Sequence, residues 1–205
     1  MNIFVASSNL GKLREFADAA VSYELHVYPL KGLGGIDTPH ESGSTFAENA
    51  AIKAIAYSRH APGEIVIADD SGLEVDALGG APGVLSARYA QRGERTPSDA
   101  DNNYKLLYEL SQKPQIERTA RFICVIASAR DGELLATFEG DARGEILASP
   151  LGRHGFGYDP LFFVPEANKT FADMQGEEKL RYSHRGAAFR KFCEWMIKQP
   201  ESAAP

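Results

Sequence analysis

The chain has 205 residues, with 22 Lys and Arg against 28 Asp and Glu, a formal net charge of −6, 43% hydrophobic and 24% charged residues. A chain of this length buries about 70% of its unfolded surface, in one domain or two joined lobes. Its composition is globular, which excludes disorder, collagen and coiled coil. The acidic balance and the lack of any basic run argue against a nucleic-acid partner; a polyanionic ligand would need local cations or a metal ion. The longest apolar stretch, Phe122 to Ala129, is far short of the roughly 20 residues that span a bilayer, and no basic region precedes the apolar residues of Met1-Asn2-Ile3-Phe4-Val5. Neither a signal peptide nor a membrane partner is expected. The two cysteines, Cys124 and Cys193, form no C-x-x-C and read as reduced thiols of a cytoplasmic protein, a single disulfide being the alternative.

Strand and helix signals alternate. Asn2 to Ala6 reads as a strand that runs into Ser7-Ser8-Asn9. Gly11 to Ser22 reads as a helix with Leu13, Phe16, Ala17 and Ala20 at helical spacing. Glu24 to Tyr28 is a second strand, and Thr45 to His60 a helix opened by a Thr45/Glu48 capping box. Glu64 to Ala68 is a short strand buried on both faces. Ser98 caps a helix that runs to Gln112, with Asp101 in its first turn. Thr119 to Arg130 and Leu134 to Phe138 flank Asp131-Gly132, a hairpin signal, and Ala142 to Leu147 continues the meander. Leu161 to Val164 is a last strand. Gly186 to Lys198 is a closing helix with Phe189, Phe192, Cys193 and Met196 on one stripe. The expected fold is α/β, a mixed central β-sheet flanked by helices, in two lobes with a substrate groove between them. Residues 1–198 form a single two-lobed domain, and 199–205 a frayed tail.

Four segments carry candidate chemistry. Ser7-Ser8-Asn9-Leu10-Gly11-Lys12 joins a strand to a helix N-terminus, whose open N–H groups and partial positive charge suit phosphate; a capped turn with a surface lysine fits it too. Ala68-Asp69-Asp70-Ser71-Gly72-Leu73 puts two carboxylates just past a buried strand, where they repel unless a cation such as Mg²⁺ intervenes; an Asx-turn is the alternative. Glu41 precedes the Thr45 helix, on which Asn49 and Lys53 share a face. Glu41 could add a metal ligand and Lys53 a phosphate contact, or both could simply be solvated. Gly155-Phe156-Gly157-Tyr158-Asp159-Pro160 offers rings on which a nucleobase could stack and a carboxylate for a base N–H, or else an aromatic turn that closes the core. Lys179 and Ser183-His184-Arg185-Gly186 supply donors, with Ser183 placed as an N-cap and Arg185 able to fork onto an oxygen acceptor. Together the segments describe a nucleoside polyphosphate site.

In these motifs the chain resembles the inosine triphosphate pyrophosphatase family, which clears non-standard purine nucleoside triphosphates. The matching residues also include Glu41-Ser42-Gly43, Phe46, Glu48-Asn49-Ala50, Gly79-Gly80-Ala81-Pro82-Gly83 and Ser86-Ala87-Arg88-Tyr89, so the likeness covers nearly the whole chain. The resemblance implies Mg²⁺-dependent cleavage between the α- and β-phosphates of a purine nucleoside triphosphate (ITP, dITP, XTP), giving the monophosphate and pyrophosphate, in a homodimer. By position it makes Asp70 the general base and a metal ligand, with Glu41 a further ligand. Ser7, Ser8, Asn9, Leu10, Gly11, Lys12, Lys53 and Ser71 would lie at the phosphates, and Phe156, Gly157, Tyr158, Asp159, Lys179, His184 and Arg185 at the base. Two positions depart from the pattern: Ser8 stands where relatives often have glycine, with its freedom at positive φ, and His40 where they often carry a second acid. The competing functions are a nucleotide sensor without turnover and an enzyme that cleaves another bond of the triphosphate.

Overall fold

Burial at the N-terminal strand sets the first layer. In β1 (Asn2–Val5), Ile3 and Val5 are fully buried. β1 pairs in parallel with β2 (His26–Pro29) and with β3 (Ile65–Val75). Parallel neighbours need crossover connections, and α1 (Leu10–Ala20) and α2 (Phe46–Ser58) lie in them. β4 (Thr119–Arg130) and β5 (Glu133–Ile146) are joined by Asp131-Gly132, whose φ angles of 51° and 85° are those of a primed hairpin turn. β6 (Phe162–Val164) pairs antiparallel with β5, and β7 (Lys169–Thr170) antiparallel with β6. The strand order is β2-β1-β3-β4-β5-β6-β7. With α3 (Asp99–Ser111), α4 (Gly176–Tyr182) and α5 (His184–Lys198), this is an α/β fold on a mixed seven-stranded sheet.

The computed structural model describes residues 2–113 and 117–198; the expected tail, 199–205, lies outside them. Contacts group the described chain into two units, 2–70 with 124–140 and 185–198, and 71–123 with 141–184. The first has its own core of Ile3, Val5, Phe16, Ile65, Ile67, Phe189, Phe192 and Met196, with the rings of Phe16 and Phe189 5.3 Å apart. The stripe expected on the closing helix is wholly buried, whereas Ala17 on α1 is exposed. The second core holds Leu73, Leu106, Leu110, Phe122, Tyr158, Phe162 and Phe171.

Four elements differ from expectation. β3 does not stop at Ala68 but continues through Asp69-Asp70-Ser71-Gly72 to Val75. These residues have poor strand propensity, which side-chain partners can override. The pieces expected at Leu134 to Phe138 and Ala142 to Leu147 form one strand, β5. β7 and α4 carry no period long enough to read, having two and seven residues.

The caps anticipated at Thr45 and Ser98 are present. Thr45 Oγ1 accepts from the Glu48 N–H at 3.2 Å, and Glu48 Oε2 accepts from the Thr45 N–H at 3.1 Å. Ser98 and Asp101 repeat the pattern at α3. Thr45→Ala is expected to lower stability by about 1 kcal/mol and Thr45→Ser by much less, measured as the shift in urea midpoint.

Candidate active site

In the first unit, β3 delivers two consecutive carboxylates, and successive strand residues face opposite sides of a sheet. Asp69 and Asp70 accordingly meet different partners. Asp69 Oδ2 lies 2.8 Å from Lys12 Nζ on α1 and 3.4 Å from an Arg185 nitrogen on α5. Arg185 also pairs with Glu15 of α1, and its side chain is 2% exposed. The Cys124 thiol approaches Asp69 Oδ2 at 3.9 Å. Burial alone would push the Asp69 carboxyl up, but the charges of Lys12, Arg185 and Lys53 outweigh it and hold the group well below the usual range. Its Oδ1 has no hydrogen-bond partner among the described residues.

Asp70 faces α2. Lys53 Nζ lies 3.2 Å from Asp70 Oδ1 and 2.8 Å from Glu41 Oε1, so one ammonium bridges two carboxylates. Asn49 Nδ2 donates to Asp70 Oδ2 at 3.3 Å, while Asn49 Oδ1 accepts the Gly43 N–H at 2.8 Å. Burial raises the Asp70 pKa above its ordinary value, and Lys53 and Lys12 offset this only in part. Lys53 keeps its proton more tightly than usual: burial opposes the charge, but Asp70, Asp69 and Glu41 prevail.

The loop before α1 is built as a cap. Ser7 Oγ accepts the Asn9 N–H at 3.2 Å, and Asn9 Oδ1 accepts the Lys12 N–H at 3.1 Å. Leu10 is 77% exposed. Ser8 is exposed and is not among the residues with positive φ, so glycine's freedom is not required there. His40, the other departure, is also exposed.

The second unit gathers the aromatic segment. Lys179, buried on α4, donates to Asp159 Oδ2 at 2.7 Å. The same oxygen accepts the Phe156 N–H at 2.9 Å. Lys179 Nζ lies 5.2 Å from the centre of the Phe156 ring and 5.8 Å from that of Phe171. His184 stacks on Phe122, with centroids 4.6 Å apart and planes 8° apart. Tyr158 is placed differently from the stacking surface its motif suggested. Its ring belongs to the core, and its hydroxyl donates to the Ser86 carbonyl at 2.8 Å. Phe156 is the half-buried ring of the segment. Ser71 follows Asp70 on β3 in this unit.

The structure thus joins Lys12, Asp69 and Arg185, joins Glu41, Lys53 and Asp70, and joins Phe156, Asp159 and Lys179. Sequence reasoning missed Glu15, for which no local signal exists because its partner lies 170 residues away. Asn49 had a signal, its place four residues before Lys53 on one helical face.

Residues 3–195 match the model of the family described as the Ham1 family. The chain belongs to that family. It is similar to proteins named dITP/XTP pyrophosphatase from Acidobacterium capsulatum, 52% identical over 93% of this chain and 95% of the relative, and from Geobacillus kaustophilus, 48% identical over 94% and 92%. Among solved structures it is similar to a HAM1 protein from Coxiella burnetii, with a TM-score of 0.83 and 37% identity over 97% of this chain and all of that one. The Ham1 protein of Staphylococcus aureus gives a TM-score of 0.80 and 40% identity, covering 96% and 98%.

Because the folded pKa of Asp69 lies below its unfolded value of about 3.9, its ion pairs stabilise the protein above that pH and are lost as the pH falls below it. Urea midpoints measured from neutral pH downwards should fall more steeply for the wild type than for Asp69→Asn.

Proposed function

We propose that the protein is a dITP/XTP pyrophosphatase that hydrolyses non-standard purine nucleoside triphosphates between the α- and β-phosphates, releasing the monophosphate and pyrophosphate. The observation that carries this is the Asp70 carboxylate, raised in pKa by burial and held between Lys53 and Asn49 on the strand whose preceding residue anchors Lys12. The names of the relatives, dITP/XTP pyrophosphatase, support it.

A carboxylate with a raised pKa is a better base near neutrality. In this reading Asp70 orients a water molecule and takes its proton, while Lys12 and Lys53 offset charge on the phosphates, with Ser7, Ser8, Asn9, Leu10 and Gly11 lining the helix N-terminus and Ser71 nearby. Positioning and charge stabilisation supply most of the acceleration in phosphoryl chemistry. The fit of these residues to Mg²⁺ is supported by Glu41 and Asp70 both lying within ion-pair distance of one cation, Lys53. No group of three or more Asp, Glu, His or Cys is placed to hold a metal among the described residues. Bound by Glu41 and Asp70, Mg²⁺ would supply charge neutralisation and a more acidic water.

At the base, Phe156 offers a ring face, Gly157 and Tyr158 hold the loop, and Asp159 accepts an N–H. Lys179 and His184 provide donors for an acceptor at purine position 6; Arg185, which the resemblance assigns to the base, is ion-paired with Glu15 and Asp69. Adenine carries a donor at that position, and an unmatched buried polar group is costly. We place the protein in the cytoplasm as a homodimer. Cys124 and Cys193 are free thiols, and exposed Leu85, Tyr104 and Tyr108 offer apolar surface to a second copy. No helix among the described residues is long and apolar enough to cross a membrane.

With XTP or dITP and Mg²⁺, the expected products are the monophosphate and pyrophosphate, and a chelator should abolish turnover. Orthophosphate as product would point to cleavage at another bond, and binding without product to a sensor. Asp70→Asn should lower kcat by about 10²-fold or more with an unchanged circular dichroism spectrum; near-normal kcat would remove Asp70 as the base. Under one set of conditions, kcat/KM for ITP and XTP should exceed that for ATP; equal values would remove the argument from position 6.

A further inference from the structure

One residue of the aromatic segment is gripped from outside the segment at both of its backbone polar groups. The Gly157 N–H donates to Asp99 Oδ2 at 2.6 Å, and the Gly157 carbonyl accepts from Asn103 Nδ2 at 3.0 Å. Asp99 and Asn103 stand four residues apart on α3, on one face. Gly157 has φ +62°, a conformation it would share with many other turn geometries if nothing fixed it. Its neighbours in sequence are fixed by separate means. Phe156 is tied through its N–H to Asp159, Asp159 to Lys179, and Tyr158 to Ser86.

We propose that Asp99 and Asn103 are positioning residues that set the Gly157 peptide, and through it the Phe156 ring and the Asp159 carboxylate, for recognition of the purine base. The inference rests on the assignment of Phe156, Asp159 and Lys179 to the base. It adds two residues outside all the motifs from which that assignment came.

The chemistry of Asn103 separates positioning from mere packing. Its amide spends its nitrogen on Gly157, while Oδ1 is buried with no hydrogen-bond partner among the described residues. A buried acceptor without a donor destabilises the fold, so packing alone favours an apolar side chain of similar size here. Asn103→Leu removes the orphaned acceptor and the grip on Gly157, a half-buried residue, together. Asp99 lies on the exposed first turn of α3. Asp99→Asn keeps an acceptor for the Gly157 N–H, and Asp99→Ala does not.

The test is steady-state hydrolysis of XTP and dITP by the full chain with Mg²⁺, by thermal melting of each variant, and by inhibition with inorganic pyrophosphate as a probe without a base. Asn103→Leu and Asp99→Ala are each expected to raise KM by about five- to ten-fold with kcat within about two-fold. The pyrophosphate inhibition constant should stay unchanged, Asp99→Asn should stay close to wild type, and Asn103→Leu should melt no lower than wild type. Lys179→Ala serves as the control for the base assignment and should also raise KM. If Lys179→Ala raises KM while Asp99→Ala and Asn103→Leu do not, the positioning role is overturned and the base assignment stands. A fall in the melting temperature of Asn103→Leu, accompanied by equal losses in kcat and in affinity for pyrophosphate, would show a structural role only and overturn it as well. If Lys179→Ala leaves KM unchanged, the base assignment fails and takes the inference with it.

Discussion

A carboxylate removed from water has to be met by cations, and Asp69 is such a carboxylate in the middle of a strand. Lys12 from α1 and Arg185 from α5 meet it, and Glu15 from α1 meets Arg185 in turn. On that face two carboxylates balance two cations. The pleat of β3 turns the next residue, Asp70, to the other face, where Asp70 and Glu41 share a single ammonium, Lys53. That face keeps an excess of negative charge. The same two-residue sequence thus meets Lys12 and Arg185, with Glu15, at its first carboxylate, and at its second a cluster with more carboxylates than cations. Under the proposed function, a divalent ion carrying a polyphosphate would answer that shortage.

Much of the fold was legible where the signal is local. The Thr45 and Ser98 caps, the Asp131-Gly132 turn and the apolar stripe of α5 are patterns within a few residues, and each is present. The extent of β3 was not legible, because Asp-Asp-Ser-Gly reads as the end of a strand until its charge partners are known. Lys12 and Arg185 reach Asp69 from positions 57 residues before it and 116 residues after it in the chain, and no periodicity encodes that meeting. α4 has a comparable obscurity: seven residues opening on Gly176 carry too little pattern to read, although they place Lys179 against Asp159.

At the candidate site the sequence identified residue types better than their tasks. Phe156 and Tyr158 look equivalent as letters, two aromatics flanking one glycine. Packing distinguishes them, since Tyr158 fills the core and anchors to Ser86 whereas Phe156 keeps a half-buried face beside Lys179. Likewise Ser7 and Asn9, which as letters offer donors, serve through their oxygens as acceptors in a helix cap. That terminus also presents main-chain N–H groups, whose direction is fixed by the helix and not by a rotamer.

The amide of Asn49 gives the Asp70 face a direction. Its oxygen is committed to the Gly43 N–H, so its nitrogen has to face Asp70, and rotating the amide by half a turn would set oxygen against oxygen at one end and hydrogen against hydrogen at the other. The strand carboxylate and the loop that carries Glu41 are therefore coupled through one group with fixed polarity. Whatever alters the charge on Asp70 therefore alters the strength of the hydrogen bond from Asn49.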